Sequence, residues 1–531
     1  MKKSLKRVSY NNKTFKVSAL FIALFTIWGA FSPASLAKYA SAVFAFTSNS
    51  FGWFYLVSVA GFVFFCLYLA FSKYGSIKLG KDGEKAEFSF FTWISMLFSA
   101  GFGVGIVFWG VAEPLTHFSS PPVAGVELQT AEAARTAMHY SFFNWGIHQW
   151  SVFAVVGLAL AYYQYRHNRK GLISETITDV LPRKGKKQLK FSISVLAIIA
   201  TIIGVSTSVG MGVMQIGGGL NYVFEVPNSP LVQIGIVAVI MVLYLISTTT
   251  GINKGIKFLS LANMLLVAAL MLFFLFRGPT TFIIESFVVG IGDYFQNFVG
   301  MSFFLTPYTG ESWVNDWTVF YWAWVIAWSP FVGSFVARVS RGRTIREFVL
   351  GVMVVPPLIG FVWMAIFGGT GLYFDLFLDT AISTAVSQDV TTAVFVLLQE
   401  FPFYTALSVI MLLLIVIFLV TSADSAVFVL GIMSSDGDIN PSTGVKVIWG
   451  ILMAAITSVL IVSSGLRGLQ TASLVAALPF TLIMILMSVA LIKSLRKEEA
   501  GDPVEQEETE SSFAAPEPPP VMNASILEEK S

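Results

Sequence analysis

The sequence predicts an all-α, polytopic membrane protein with 12 transmembrane helices, and three observations carry that class. Hydrophobic residues make up 55% of the chain and charged residues only 12%, where soluble domains carry about 25% charged residues; the mean hydropathy is +0.75. Apolar runs of about 20 residues, long enough to cross a hydrocarbon core as a helix, recur along the whole chain. The Lys and Arg residues between them collect in alternate loops, the asymmetry that marks cytoplasmic loops. A spanning segment has to satisfy its backbone internally, so such runs are helices.

In order, the runs lie near 18–36, 51–71, 90–112, 138–163, 191–220, 231–248, 256–276, 317–338, 348–374, 403–433, 445–464 and 471–493. A basic tail, 1–17, precedes them with Lys2, Lys3, Lys6, Arg7, Lys13 and Lys16. The apolar stretch that follows has no small-residue cleavage site, so it reads as a retained span rather than a signal peptide. The second loop holds Lys73, Lys78, Lys81 and Lys85, the fourth is basic from Arg166 to Lys190, the sixth has Lys254 and Lys257, and the eighth has Arg341, Arg343 and Arg346. Odd-numbered loops hold almost none. This pattern makes the chain a multi-pass protein of the cell membrane with both termini cytoplasmic.

The membrane domain is thus 18–493, and 494–531 is an acidic, Pro-rich tail expected to be disordered. On that side of the membrane the sequon at Asn523 is a chance match. The single cysteine, Cys66, rules out an intramolecular disulfide. A net charge of +2 excludes a strongly basic nucleic-acid binder.

Some runs are interrupted as a passive anchor need not be. The third reads "SAGFGVGIVFWG", with Gly101, Gly103 and Gly105 on alternate positions. Each glycine costs a helix roughly 1 kcal/mol, so the segment is poised to unwind. Small residues also permit close helix packing, but residues two apart share no helix face, which favours backbone amides open to a ligand. The eighth reads "TVFYWAWVIAWSPF". Phe320, Trp324 and Trp328 are spaced i, i+4, i+8 with Phe331 three later, so the rings lie on one face. Core packing or a ligand cage explains such a stripe, and a buried indole N–H needs a partner either way. Ser329-Pro330 frees backbone groups mid-span, which is tolerated beside a protein-lined or wet cavity.

The fourth run adds "FFNWGIHQW", in which Trp145 and Trp150, with Phe153, fall within roughly a 140° arc. Rings from two helices can enclose a methylated onium, which donates no conventional hydrogen bond and prefers ring faces at roughly 1–2 kcal/mol each. The tenth run carries "FLVTSADSAVF". Thr421 and Ser422 are hard oxygen ligands for a small cation, or bond back to their own helix; Asp424 is either structural or functional. The third, fifth and tenth runs contain no Lys or Arg, and the eighth only Arg338 at its inner end. A substrate carboxylate would then be met by N–H groups at broken helices. Cation plus carboxylate points to a small zwitterion.

"NDWTVFYWAWV" (Asn315 to Val325), "GFGVGIVFWGVAEP", "WGIHQW", "SRGRTIREF" and "TSADSA" together resemble the signatures of the betaine/carnitine/choline transporter (BCCT) family and, within it, of sodium-coupled glycine betaine carriers. The resemblance implies a LeuT-type core of two inverted five-helix repeats, spans 3–7 and 8–12, preceded by two extra helices. It implies a homotrimer in the bilayer that imports a compatible solute for osmoprotection, with sodium as coupling ion and no cofactor. By position it implies that Trp145, Trp150 and Phe153 form an aromatic box, and that Trp324 and Trp328 line the inner pathway. Sodium would take backbone oxygens of Ser99, Phe102 and Phe418 and hydroxyls of Thr421 and Ser422, with Thr201 and Phe331 at a second sodium site.

Three positions depart from the family pattern. Val325 stands where the signature has a second tryptophan of the central cage, Phe153 replaces a tyrosine, and Val205 replaces a threonine that can serve the second sodium. Gly105, where choline-carrying members tend to be acidic, disfavours choline. The fifth run lacks the arginine of sodium-independent carnitine exchangers, and the tail lacks a basic osmosensing helix. The expectation is sodium-coupled symport of a betaine-type zwitterion such as glycine betaine. The alternatives are dimethylsulfoniopropionate, a carnitine-like betaine or a less methylated amine in the space left at Val325, or cation-independent exchange. An enzyme is not expected, because His117, His139, His148 and His167 show no HExxH spacing and no G-x-S-x-G elbow occurs. A single cage also suits binding and release better than the rapid conduction of a channel.

Overall fold

The structure, a computed structural model, describes residues 12–500 apart from Ala124, Gly251 and Ile252; the side chains of 98–100 and 253–261 lie outside that description. The basic tail up to residue 11 and the acidic tail from 501 therefore fall outside the described residues. Among those residues the chain is helical, with one isolated antiparallel bridge between Lys78 and Thr344 and no strand. The principal helices are α1 (Lys13–Phe31), α2 (Pro33–Phe71), α3 (Phe90–Gly101), α4 (Val104–Ser119), α5 (Ala131–Trp145), α6 (Ile147–Ala161) and α7 (Lys186–Phe224). They continue with α8 (Pro230–Thr250), α9 (Asn253–Arg277), α10 (Thr280–Ser302), α11 (Thr318–Val339), α12 (Ile345–Phe377), α13 (Tyr404–Ser434) and α14 (Thr443–Glu499).

Eight helices among the described residues are long and apolar enough to cross a membrane, or nine if a bent pair counts as one span. The difference from twelve apolar runs has physical causes. The third run is cut between α3 and α4, as its glycines predict. The fourth, expected to be continuous, is cut at Gly146 (φ −87, ψ −153) into α5 and α6 of 15 residues each, too short to span alone. The last two runs merge in α14, which turns at Gly465 (φ 56, ψ −137), a backbone conformation open to glycine. The seventh bends by 108° after Arg277 into α10.

Helix α10 occupies a segment that sequence reasoning leaves as a loop. Glu285 and Asp293 interrupt its hydropathy. Its pattern is two-sided: Ile284, Val288, Phe295 and Val299 are exposed, while Ile283, Gly290, Tyr294 and Met301 are buried.

The expected interruption at Ser329-Pro330 does not occur, because α11 runs unbroken from Thr318 to Val339. Proline has no N–H to offer the carbonyl four residues back. Ser329 Oγ donates to that same carbonyl, Ile326 O, at 2.7 Å, so the orphaned acceptor is satisfied and the helix continues. Every residue from Thr318 to Gly333 is buried, as befits a helix that is apolar all round. It lies against α6, α7 and α14 at the centre of the bundle.

The basic loops meet at one end of the molecule. Leu79 N donates to Arg343 O at 2.8 Å. Arg166 donates to Gly80 O at 3.0 Å and Asp82 Oδ1 at 2.8 Å, and also binds Glu498 at the end of α14. Lys170 pairs with Asp436. The Phe15 ring of α1 stands 5.8 Å from Trp449, near the start of α14, so both described chain ends approach this face.

Candidate substrate site

The site begins with the cut in the third run. Gly103 precedes α4 with φ −98 and ψ −155, and no side chain caps the helix, so the first N–H groups of α4 have no intrahelical partner. Four indoles turn their six-membered rings toward the three alternate glycines. A β-carbon at Gly101 would overlap the Trp150 ring, and one at Gly105 would overlap Trp324 while lying 3.5 Å from Trp145 Cη2. At Gly103 it would sit 3.6 Å from Trp328 Cη2. Rings therefore pack directly on Gly101 and Gly105, against the expectation that alternation disfavours packing. The helix rule does not apply where the helix itself stops, and backbone amides open only at the break.

The aromatic stripe of α11 forms a ladder. Phe320 and Trp324 are 6.0 Å apart at 4°, Trp324 and Trp328 6.1 Å apart at 14°, and Phe331 continues it 6.1 Å from Trp328. Two edge-on contacts join it to the other wall: Trp145 to Trp324 at 6.1 Å and 79°, and Phe153 to Trp328 at 5.7 Å and 74°. Trp150 meets Phe153 at 5.5 Å and Phe102 at 5.3 Å. The break at Gly146 puts Trp145 on α5 and the other two on α6, so the arc drawn for one continuous helix does not describe them. Val325 is fully buried on α11, next to Trp324.

The indole N–H groups divide by partner. Trp324 Nε1 donates to Ser208 Oγ of α7 at 3.1 Å, and Trp145 Nε1 donates to Glu113 Oε2 at 2.8 Å. Trp150 Nε1 is buried with no hydrogen-bond partner among the described residues, as are both amide atoms of neighbouring Gln149. These are donors and acceptors of the sort a polar ligand satisfies.

Sequence reasoning assigned Glu113 no role, although "GVAEP" contains it. Its side chain is completely buried. It accepts from Asn144 Nδ2 at 2.8 Å, from Trp145 and from the Tyr321 hydroxyl. An ionisable group inside an apolar bundle was the available signal; it fell one residue past the run boundary.

The candidate cation ligands are partly gathered. Ser422 Oγ of α13 lies 3.7 Å from the β-carbon position of Gly103, which brings α13 to the break. Thr421 Oγ1 donates to Ile417 O at 2.8 Å and Phe418 O at 3.2 Å. That is back-bonding, and it still leaves the hydroxyl oxygen free to bind a cation. Phe102 is buried beside Trp150. The side chain of Ser99 is outside the described residues. Thr201 Oγ1 donates to Ala197 O at 2.7 Å and faces Met433 Sδ, while Phe331 packs on Trp328. No hydrogen bond or ring contact joins Thr201 to Phe331 among the described residues. Asp424 faces Ser247, Thr248 and Lys446, away from the cage.

A family profile described as BCCT, betaine/carnitine/choline family transporter, matches residues 13–500. The chain belongs to the BCCT family. It is 51% identical over 495 residues to the ectoine/hydroxyectoine transporter of Virgibacillus pantothenticus, covering 93% of this chain and 98% of that one. It is 47% identical to the glycine betaine transporter OpuD of Bacillus subtilis, covering 93% and 96%. It is 44% identical to the probable glycine betaine transporter of Desulfitobacterium hafniense, covering 92% and 98%. This BCCT protein is thus a multi-pass membrane transporter and not an enzyme.

Proposed function

We propose that this BCCT transporter imports a small zwitterionic compatible solute by sodium-coupled symport, with glycine betaine as leading substrate and osmoprotection as the use. The observation that carries the reading is the convergence of Trp145, Trp150, Trp324 and Trp328 on the uncapped break between α3 and α4. Ring faces suit a methylated cation, and helix N–H groups suit its carboxylate. Two relatives named as glycine betaine transporters support the choice.

Sodium would be held by Ser422 and Thr421 hydroxyls with carbonyls of Ser99, Phe102 and Phe418; Thr201 and Phe331 are the weaker candidates for a second ion. Each charge moved across 100 mV supplies about 2.3 kcal/mol, enough for roughly fifty-fold accumulation. Counting α3 with α4 and α5 with α6 as one broken span each, α9 as one and α14 as two restores twelve spans, arranged as a LeuT-type core behind α1 and α2. We take the protein to be a homotrimer with both termini cytoplasmic. Uptake of labelled glycine betaine into proteoliposomes with an inward sodium gradient tests the coupling, and equal uptake in potassium alone refutes it.

A second reading is ectoine, a cyclic zwitterion without a trimethylammonium group. Val325, where the family cage has another indole, and the 51% identity to a transporter named for ectoine and hydroxyectoine favour it. Competition of unlabelled ectoine against labelled glycine betaine separates the two.

A further inference from the structure

We infer that Glu113 is the anion behind the Trp145 wall, holding that indole in place and presenting negative charge through it to the cationic part of the solute. The inference rests on the zwitterion reading above and adds a residue that sets the site's affinity for cations. Each Glu113 oxygen faces a group that can only donate: Asn144 Nδ2 on Oε1 and Trp145 Nε1 on Oε2, both at 2.8 Å. That arrangement fits a carboxylate, which only accepts. Tyr321 of α11 adds a third donor, so the side chain ties α4, α5 and α11 together at the cage.

Burying such a charge is costly unless it is compensated. The one titratable cation candidate facing it is His117, whose Nε2 lies 3.4 Å from Oε1 and whose ring packs 5.0 Å from Trp313 and 4.4 Å from Trp317. Among the described residues no Lys or Arg pairs with Glu113. Trp145 runs from this carboxylate at its N–H end to Gly105 and Trp324 at its benzo end. An indole that donates to a carboxylate is polarised toward greater electron density on its faces, and a ring face is where an onium binds.

The test uses the purified full-length transporter. Glu113→Gln keeps the shape and removes the charge; losing the charge-assisted hydrogen bond that positions and polarises Trp145 should raise the Kd for glycine betaine on the order of tenfold. Because the Gln amide NH2 must face one of the donors around it, the apo thermal midpoint should fall in Glu113→Gln, and affinities are compared on folded protein. Glu113→Asp, which keeps the charge, should lose less affinity than Glu113→Gln. In a Trp145→Phe background, Glu113→Gln should add little, because the group it acts through is gone. Independently of any ligand, the ultraviolet resonance Raman band of the Trp145 N–H, isolated by subtracting Trp145→Phe, should move toward a weaker hydrogen bond in Glu113→Gln. Wild-type affinity in Glu113→Gln, or the same loss with and without the indole, overturns the inference. A wild-type protein that binds neither glycine betaine nor ectoine overturns the substrate reading and the cation role with it, and the Raman band then still decides whether Glu113 holds Trp145.

Discussion

Replacing Gly101 by alanine adds one methyl group where the packing leaves no room. Its β-carbon would lie 2.6 Å from Trp150 Cζ3 and 2.8 Å from Cζ2, whereas carbon atoms rest at about 3.5–4.0 Å. The indole would have to retreat by about 1 Å or more. Its neighbours limit that movement: Phe102 is 5.3 Å away and Phe153 5.5 Å, and Phe153 leans in turn on Trp328. Overpacking of this kind costs about 1–3 kcal/mol. Where that cost falls on the liganded geometry, it weakens binding by roughly fivefold to over a hundredfold.

Tryptophan-fluorescence titration with glycine betaine and with ectoine in sodium buffer measures the loss, with the apo thermal midpoint as control. Gly103→Ala supplies a contrast in space alone, since its β-carbon would meet Trp328 at an ordinary 3.6 Å; its apo midpoint should match wild type. A folded Gly101→Ala protein that binds both solutes with wild-type affinity would show that Trp150 takes no part in binding.

Three more outcomes are expected. Ser329→Ala strips the hydroxyl from Ile326 O beside Pro330 and should destabilise the protein by about 1–3 kcal/mol, read as a lower thermal midpoint; an unchanged midpoint means the carbonyl has another partner. Ser422→Ala should raise the sodium concentration for half-maximal uptake roughly tenfold, the worth of one ligand to a charged group, and an unaltered sodium curve removes Ser422 from the ion's ligands. Val325→Trp should shift the affinity ratio toward glycine betaine over ectoine by roughly tenfold by adding a ring face; a ratio that stays put places Val325 outside the cage.

What the sequence makes legible depends on whether the signal is local. The ladder of Phe320, Trp324 and Trp328 follows from helical spacing, and the cut at Gly101 to Gly105 follows from glycine's cost in a helix. The membrane character and the grouping of basic loops follow from composition and charge. The cut at Gly146 is hidden because it is an isolated glycine, without proline, in a long apolar run, and what holds it is remote: the hydroxyl of Tyr294. Helix α10 is hidden because Glu285, Asp293, Gln296 and Asn297 interrupt its apolar residues, so no window averages to a clear span. The continuity of α11 through Pro330 depends on one hydroxyl finding one carbonyl. Glu113 escapes because its meaning lies in three partners, of which Tyr321 is far away in sequence.

The two cuts also differ in where their freed backbone groups go, and that difference gives the site its polarity. At Gly146 the N–H of Ile147 donates to Tyr294 Oη at 2.9 Å, and Gly146 N donates to Phe143 O at 3.3 Å. A helix without water or lipid to turn to has to satisfy such groups inside the protein, and α10 supplies the means there. At Gly103 no side chain caps α4, and the nearby Trp150 N–H has no partner, among the described residues. N–H groups that no side chain caps among the described residues therefore stand at the start of α4, while the acceptor Glu113 stands about two and a half turns further along the same helix, behind Trp145. On the proposed reading, the N–H groups at the start of α4 would meet the carboxylate of a zwitterion and the ring faces toward Trp145 its cation, so that one broken helix would orient both charges.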